Sequence, residues 1–342
     1  MSLINELIKT KIIDYAEIIV ILFEHCNLRC TFCSQNHETL ENTEKEKILS
    51  KVQYISDWIN NNNKTKCFKL HIMGGEVFQD ALTTKGYLEI YQEFIDQIND
   101  KVVDKNKQIV YNFITNLVFE NTQPLLDFLD KNNLKISISY DSTGRFSPKD
   151  FTTFKRNVEI FKHKIEMVSC VMSAPSMKKV ISGDDYFDYL YQNFTINWDS
   201  LWPVSGDKID RYLMPKESEL FEFYKTLVDR YPECSNIEHF VDKKKQAMKM
   251  TCTRGNNTTI LQDNTVPRGC SATAYVKDSK TKDLGTDEVV IKFFNKHNCF
   301  QCEYFQRCPF TCFVKADYKN LVEDLNECVF KKTFRYADEK FK

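Results

Sequence analysis

The sequence has no marked excess of either charge. Its 342 residues carry 47 lysines and arginines against 48 aspartates and glutamates, a formal net charge of -1. The chain as a whole therefore offers no electrostatic footprint for a phosphate backbone, and bulk nucleic-acid binding is not expected. An arginine-rich transit pattern is also absent, and no uninterrupted apolar run is long enough to cross a bilayer. These absences point to a cytoplasmic protein that stays off membranes. With no signal peptide to carry the chain into an oxidising compartment, a disulfide framework is a poor account of its 13 cysteines. Metal binding is the better default, and sensitivity to air should follow.

Three of those cysteines stand together in Cys26-Asn27-Leu28-Arg29-Cys30-Thr31-Phe32-Cys33, directly after an apolar run over 18–23. On a loop leaving a strand, thiols at this spacing can converge on one metal centre. Three thiolates on a four-iron cube leave one iron without a protein ligand, and an open position is what separates a reactive centre from a closed structural one. The competing readings are a zinc knuckle or incidental thiols. A second run, over 68–73, leads into Gly74-Gly75-Glu76. Two glycines let the backbone approach a ligand that a Cβ would exclude, and a carboxylate directly after them can hold an ammonium.

Around these motifs the chain alternates. Residues 2–14 have helical spacing and are expected to form a leading helix within 1–15. Strands are expected over 18–23, 68–73, 108–114, 135–140, 165–172 and 194–198, and helices over 43–60, 87–98, 123–131, 151–163 and 186–192. Six strands alternating with helices imply parallel pairing through right-handed crossovers. The expected fold class is α/β: a partial (β/α)6 barrel of the TIM type over 16–212, with chemistry at the carboxyl ends of its strands. Over 213–342 a bridging helix, 215–231, precedes a small domain organised by thiols. These are Cys252 and Cys270, then Cys299-x2-Cys302-x5-Cys308-x3-Cys312, and finally Cys328. Zinc ribbons also use paired C-x2-C units and are the competitor here.

The cysteine triplet, with Phe32 just before its third cysteine, resembles the signature of the radical S-adenosylmethionine (SAM) enzymes. Gly74-Gly75-Glu76 after the second strand is similar to that family's motif for the SAM amino group. The resemblance implies that Cys26, Cys30 and Cys33 hold a [4Fe–4S] cluster whose open iron chelates the amino and carboxylate groups of SAM. An electron from the cluster would cleave SAM to methionine and a 5′-deoxyadenosyl radical, which takes a hydrogen atom from the substrate. Relatives place a serine and an arginine on the SAM carboxylate and ribose at positions matched by Ser139 and Arg156. Asn116 lies where relatives carry Thr-Asn-Gly, with Leu117 in place of the glycine. An arginine can grip a carboxylate with two parallel hydrogen bonds; a helix-surface charge is the alternative for Arg156.

The seven C-terminal cysteines resemble the SPASM extension, which holds two auxiliary [4Fe–4S] clusters, so that the chain would carry three. By that resemblance Cys252, Cys270 and Cys312 serve the first, and Cys299, Cys302, Cys308 and Cys328 the second. Relatives with eight auxiliary ligands carry two cysteines upstream of the one matched by Cys270, and only Cys252 stands there in this chain. The first auxiliary cluster is therefore expected to have an open iron or a non-cysteine ligand, with Cys234 as a remote candidate. Cys67 and Cys170 read as packing residues.

Auxiliary clusters suit net oxidation or crosslinking. The resemblance thus implies an oxidoreductase that modifies side chains of a ribosomal peptide, with a flavodoxin or ferredoxin as electron donor. Sulfatase maturases of the family place an aspartate after the cysteine matched by Cys270; Ser271 stands here, which disfavours formylglycine formation. Asp141, Asp199, His71 and His37 are candidate acids or bases near strand ends, and the sequence does not choose among them. Two other functions stay open: a dehydrogenase, epimerase or dehydratase acting on a small sugar or nucleoside, and a non-catalytic iron–sulfur electron carrier. About fifteen residues precede the first strand, where many peptide maturases carry a winged-helix leader-binding domain. That leaves room for a small substrate, or for a peptide held by a separate protein.

Overall fold

The computed structural model describes residues 15–33, 35, 45–63, 65–201, 212–235, 237–244, 257–267, 291, 294–308 and 325–342. Within them lie strands β1 (Tyr15–Ile21), β2 (Cys67–Met73), β3 (Gln108–Thr115), β4 (Lys135–Tyr140), β5 (Ile165–Met172), β6 (Thr195–Ser200) and β7 (Asn257–Ile260). All pair in parallel, in the order β6-β5-β4-β3-β2-β1-β7. Between them run α1 (Lys45–Leu49), α2 (Lys51–Asn61), α3 (Asp80–Thr84), α4 (Tyr87–Lys101), α5 (Gln123–Lys131), α6 (Pro148–Ile160), α7 (Ala174–Ser182) and α8 (Asp185–Asn193). The sheet curls into a half-barrel, the α/β partial barrel the alternation implies.

Residue parity gives the sheet two different faces. On β2, Phe68, Leu70 and Ile72 are fully buried toward the helices, whereas Lys69, His71 and Met73 are half-buried on the concave side. An incomplete barrel leaves that side open, so polar residues there keep access to water. The covered side is aromatic: Phe113 of β3 lies 5.3 Å from Phe78, 5.7 Å from Tyr91 and 5.8 Å from Phe128, ring centre to ring centre. Helix α6 starts where local chemistry dictates. Ser147 accepts from the Asp150 N–H, Asp150 accepts from the Ser147 N–H in return, and Pro148 occupies the first turn.

Three features depart from the expected pattern. Strand β7 is a seventh strand against β1, pairing Ile18 with Thr258 and Val20 with Ile260. Its four residues, Asn257-Thr258-Thr259-Ile260, carry too little apolar signal to be read as a strand. It is held by a buried cation: Lys51 Nζ donates to the carbonyls of Leu261 at 2.7 Å and Gln262 at 3.0 Å and to Asn264 Oδ1 at 2.7 Å, three donors for three acceptors. The helix expected over 43–60 is the pair α1 and α2, and the short helices α3 and α7 were not expected. The leading helix expected over 2–14 lies outside the described residues.

Beyond the barrel come α9 (Glu217–Arg230), which is the bridging helix, and α10 (Glu238–Val241), a 3₁₀ turn (Cys299–Gln301) and α11 (Val329–Lys340), which were not foreseen. Phe334 of α11 lies 4.7 Å from Phe240 and stacks at 4.6 Å on Tyr304. Phe294, Phe305 and Phe334 belong to the same apolar core as the half-barrel.

Candidate functional site

The loop after β1 is stitched to the loop after β2. Leu22 N donates to Met73 O at 2.8 Å, Gly75 N to Phe23 O at 2.9 Å and Glu76 N to His25 O at 2.9 Å. The glycines make this possible: a Cβ on Gly74 would sit 3.0 Å from Phe23 O, and one on Gly75 would run into the carbonyl of His25. The pair thus admits the backbone of the cysteine loop, where the sequence suggested the approach of a ligand.

The loop after β3 supplies a third side. Asn27 Nδ2 donates to Val118 O at 2.6 Å, and Asn116 Nδ2 to Asn27 Oδ1 at 2.8 Å, with Cys26 Sγ 3.9 Å from the same amide. Leu28 N points at Cys26 Sγ from 3.4 Å. Leu117, in the place of the expected glycine, adopts a positive φ of 59°. A buried leucine there bears the steric cost that a glycine would avoid, about 1–2 kcal/mol.

The loop after β4 closes the fourth side. Thr31 N donates to Gly144 O at 2.9 Å. Gly144 has φ +79°, and a Cβ there would strike the Thr31 hydroxyl. Arg145 next to it lies 5.1 Å over the ring of Phe32.

These loops enclose a cavity of about 240 Å³ at the carboxyl ends of the strands, with Cys26, Cys30 and Cys33 in its wall. Phe32, Gly74, Gly75, Glu76, Asn116 and Ser139 line it too, together with Arg145 and Asp199. The thiols stand around the cavity: among the described residues no three His, Cys, Asp or Glu gather on a single ion. Burial raises all three thiols, Cys26 to about 12 with Glu76 adding to the effect, so a metal bound here must displace their protons. A soft thiolate set around a cavity, with glycines where its loops touch, fits an iron–sulfur cluster with one open corner.

Glu76 is buried and already engaged. Its Oε1 accepts from Phe78 N at 2.9 Å and Thr115 Oγ1 at 2.7 Å, and its Oε2 from Asn116 N at 2.5 Å. Burial still pushes its pKa up. One lone pair on Oε2 remains for a ligand's ammonium. Asp199 ends β6 on the cavity wall; Asn197 Nδ2 donates to its Oδ1 at 2.8 Å. The residue keeps contact with solvent, while the protein packed around it raises its carboxyl above the ordinary range, against the pull of Asn197, His71 and Ser169.

Other expected residues lie elsewhere. Arg156 is on α6, with Nη1 2.7 Å from Glu120 Oε2 and Nη2 3.1 Å from Phe119 O; it does not line the cavity. His71 faces Glu17 at 3.8 Å on the concave side, outside the cavity wall. Asp141 is buried behind the wall, where Thr143 N donates to it at 2.8 Å, and burial pushes it up to about 7. His37 lies outside the described residues. Gly144 and Arg145 were missed by the sequence reading. Their signal was a glycine and a basic residue just past the end of a strand, while the arginine was sought on the helix that follows.

A second cavity of about 500 Å³ gathers Cys299, Cys302, Cys308 and Cys328, the set assigned to the second auxiliary cluster. The 3₁₀ turn presents the first two, with Cys302 N donating to Cys299 O at 3.0 Å. Cys328 is the N-cap residue of α11; burial raises its thiol, opposed by the N–H groups of Lys331 and Phe330. Cys252, Cys270 and Cys312 lie outside the described residues. Cys234 is fully buried in the core near Cys170.

A family model described as a 4Fe-4S single cluster domain matches residues 17–153. The solved structure of anSMEcpe with bound AdoMet superposes with a TM-score of 0.64 at 16% identity, covering 96% of this chain and 98% of that one. The chain has the radical SAM fold. Native anSMEcpe with bound AdoMet and Kp18Cys peptide gives 0.64 at 17% identity, covering 95% and 98%. Streptococcus suis SuiB bound to precursor peptide SuiA gives 0.55 at 15% identity, covering 95% and 78%. No curated protein matches the chain by sequence. In the radical SAM fold of this chain, the cysteine loop occupies the carboxyl end of β1, beside the Gly-Gly-Glu turn that ends β2.

Proposed function

We propose that this protein is a radical SAM oxidoreductase of the SPASM type that takes a hydrogen atom from a peptide side chain, leading to its oxidation or crosslinking. One observation carries the reading: three thiols on a single loop share one cavity with Gly74, Glu76, Asn116 and Ser139. When bound there, a [4Fe–4S] cluster and SAM would supply the reductive cleavage that yields a 5′-deoxyadenosyl radical. Cys26, Cys30 and Cys33 would hold the cluster, and the open lone pair of Glu76 would face the SAM ammonium. Ser139 offers a hydroxyl to its carboxylate or ribose. Asp199, a solvent-exposed carboxylate on the cavity wall, is suited to accept the proton a substrate releases on net oxidation.

The peptide part of the reading is supported by two relatives in fold, anSMEcpe and SuiB, whose structures contain peptides. Two auxiliary clusters, a flavodoxin- or ferredoxin-type donor and a cytoplasmic location complete the proposal. Among the described residues no helix is long and apolar enough to cross a membrane.

Anaerobic reconstitution followed by SAM and dithionite provides the test. Wild-type protein is expected to release 5′-deoxyadenosine and Cys30→Ser none. Iron-loaded wild type that releases none would leave only an electron carrier. Deuterium passing into 5′-deoxyadenosine from a side-chain-labelled peptide, and not from labelled sugars or nucleosides, fixes the substrate class.

A further inference from the structure

The loop after β4 carries a charge that the cofactor reading leaves without a task. Arg145 shares the wall of the cavity with Cys26, Cys30 and Cys33. Its guanidinium carbon lies 5.1 Å over the Phe32 ring and 6.0 Å from that of Phe146. Its Nε is buried with no hydrogen-bond partner among the described residues. The loop is fixed, because Thr31 N donates to Gly144 O at 2.9 Å and Gly144 holds a backbone conformation that L side chains rarely adopt. Arg145 is therefore a stationary positive charge beside whatever the three thiols bind, and it acts on Cys30, Cys33, Glu76 and Asp141 alike.

Cluster potentials respond to net charge, to hydrogen bonds on the sulfurs and to exposure. A charge inside a cavity acts more strongly than one in water. We propose that Arg145 is a positioning residue of the cysteine-triplet site that eases its reduction, by stabilising the cluster state carrying one more negative charge. This rests on the function proposed above. The step is a one-electron transfer from a low-potential donor of the flavodoxin or ferredoxin class, for which dithionite stands in below; no bond is made or broken. Arg156, paired with Glu120 on the surface, has no such access.

The test uses full-length protein reconstituted anaerobically without SAM, comparing wild type with Arg145→Gln, Arg145→Met and Arg145→Lys. The triplet's contribution is the difference from the Cys26→Ser/Cys30→Ser/Cys33→Ser protein in paramagnetic resonance, at potentials poised with dithionite. At a fixed potential the ratio of reduced to oxidised cluster is expected to fall about tenfold in Gln and Met, about 59 mV for a one-electron couple, and less than about threefold in Lys. Unchanged ratios in Gln and Met at full iron content would overturn the proposal, as would a fall in Lys equal to theirs. Unchanged ratios with lost SAM binding would make Arg145 a clamp on SAM instead. Should Gln and Met fail to load iron while Lys loads fully, the charge serves assembly of the cluster and not its reduction, and the proposal is overturned; failure of all three overturns it in favour of packing. Wild type with no iron at the triplet would refute the proposed function itself, a separate outcome.

Discussion

Asp141 shows how far a single side chain can be pushed by its place behind the cavity. Burial raises its carboxyl from an ordinary 3.8 to about 7, and Arg145 and the Thr143 N–H only partly oppose the rise. The folded, metal-free chain thus holds a proton that the unfolded chain releases, so stability rises as pH falls from about 7 toward 4, and above pH 7 the buried anion carries its full cost. Asp141→Asn is expected to stabilise the metal-free protein at pH 8, by at most about 4 kcal/mol given about 1.36 kcal/mol per unit. The gain should vanish near pH 4. Urea midpoints at the two pH values check this, and a gain of equal size at both would mean that ionisation is not the cause. The same residue-scale chemistry explains Glu76, where three protein donors hold a buried carboxylate in place so that its remaining lone pair faces the cavity.

Helix α6 acts as a brace for the loop after β3. Asn157, fully buried, donates through Nδ2 to Leu117 O at 3.0 Å and to Phe119 O at 2.7 Å, and Arg156 adds a bond to Phe119 O at 3.1 Å. These bonds hold a loop in which Leu117 has a positive φ and Asn116 reaches toward Cys26. Asn157→Ala takes the donor from Leu117 O, while Phe119 O keeps its bond from Arg156, and is expected to cost about 1–3 kcal/mol. Arg156→Gln, which breaks a half-exposed pair with Glu120, should cost less than about 1 kcal/mol and leave SAM affinity unchanged. Urea unfolding and equilibrium dialysis with labelled SAM measure the two, and a tenfold weaker SAM affinity in Arg156→Gln would return that residue to the cofactor site. The cysteine spacing, the Gly-Gly-Glu turn and the six longer strands were legible because each depends on local sequence: thiol chemistry, a glycine pair marking a close approach, a run of apolar residues; the partner in that approach was read as a ligand and is the backbone of the cysteine loop. Arg145 and β7 were not legible, because their roles come from partners far along the chain. Phe32 gives Arg145 its place, and Lys51 catches the turn that follows β7. Arg156 is the opposite case: its residue type suits the carboxylate of a ligand, and the fold pairs it with the carboxylate of Glu120.

At the scale of the whole molecule, two thiol-lined cavities sit on one continuous apolar core, yet they depend on different elements. The triplet hangs on loops after β1 to β4, whereas Cys299, Cys302, Cys308 and Cys328 hang on the 3₁₀ turn and the start of α11. That helix is held to the rest through Phe334 on Phe240 and Tyr304, and through Tyr336, whose hydroxyl donates to Asp229 of α9 at 2.7 Å. A cluster bound by four thiolates would pin the N-terminus of α11, because Cys328 is its cap residue. Removing two ligands by Cys302→Ser/Cys308→Ser is expected to lower bound iron by about four per chain and to expose α11 to protease. The triplet should stay loaded and should still cleave SAM, because no described residue of its loops lines the second cavity. Iron content, limited proteolysis and 5′-deoxyadenosine release distinguish the cases. Loss of both iron populations together would mean that the C-terminal thiols hold up the barrel itself, and the view of two separable sites would fail.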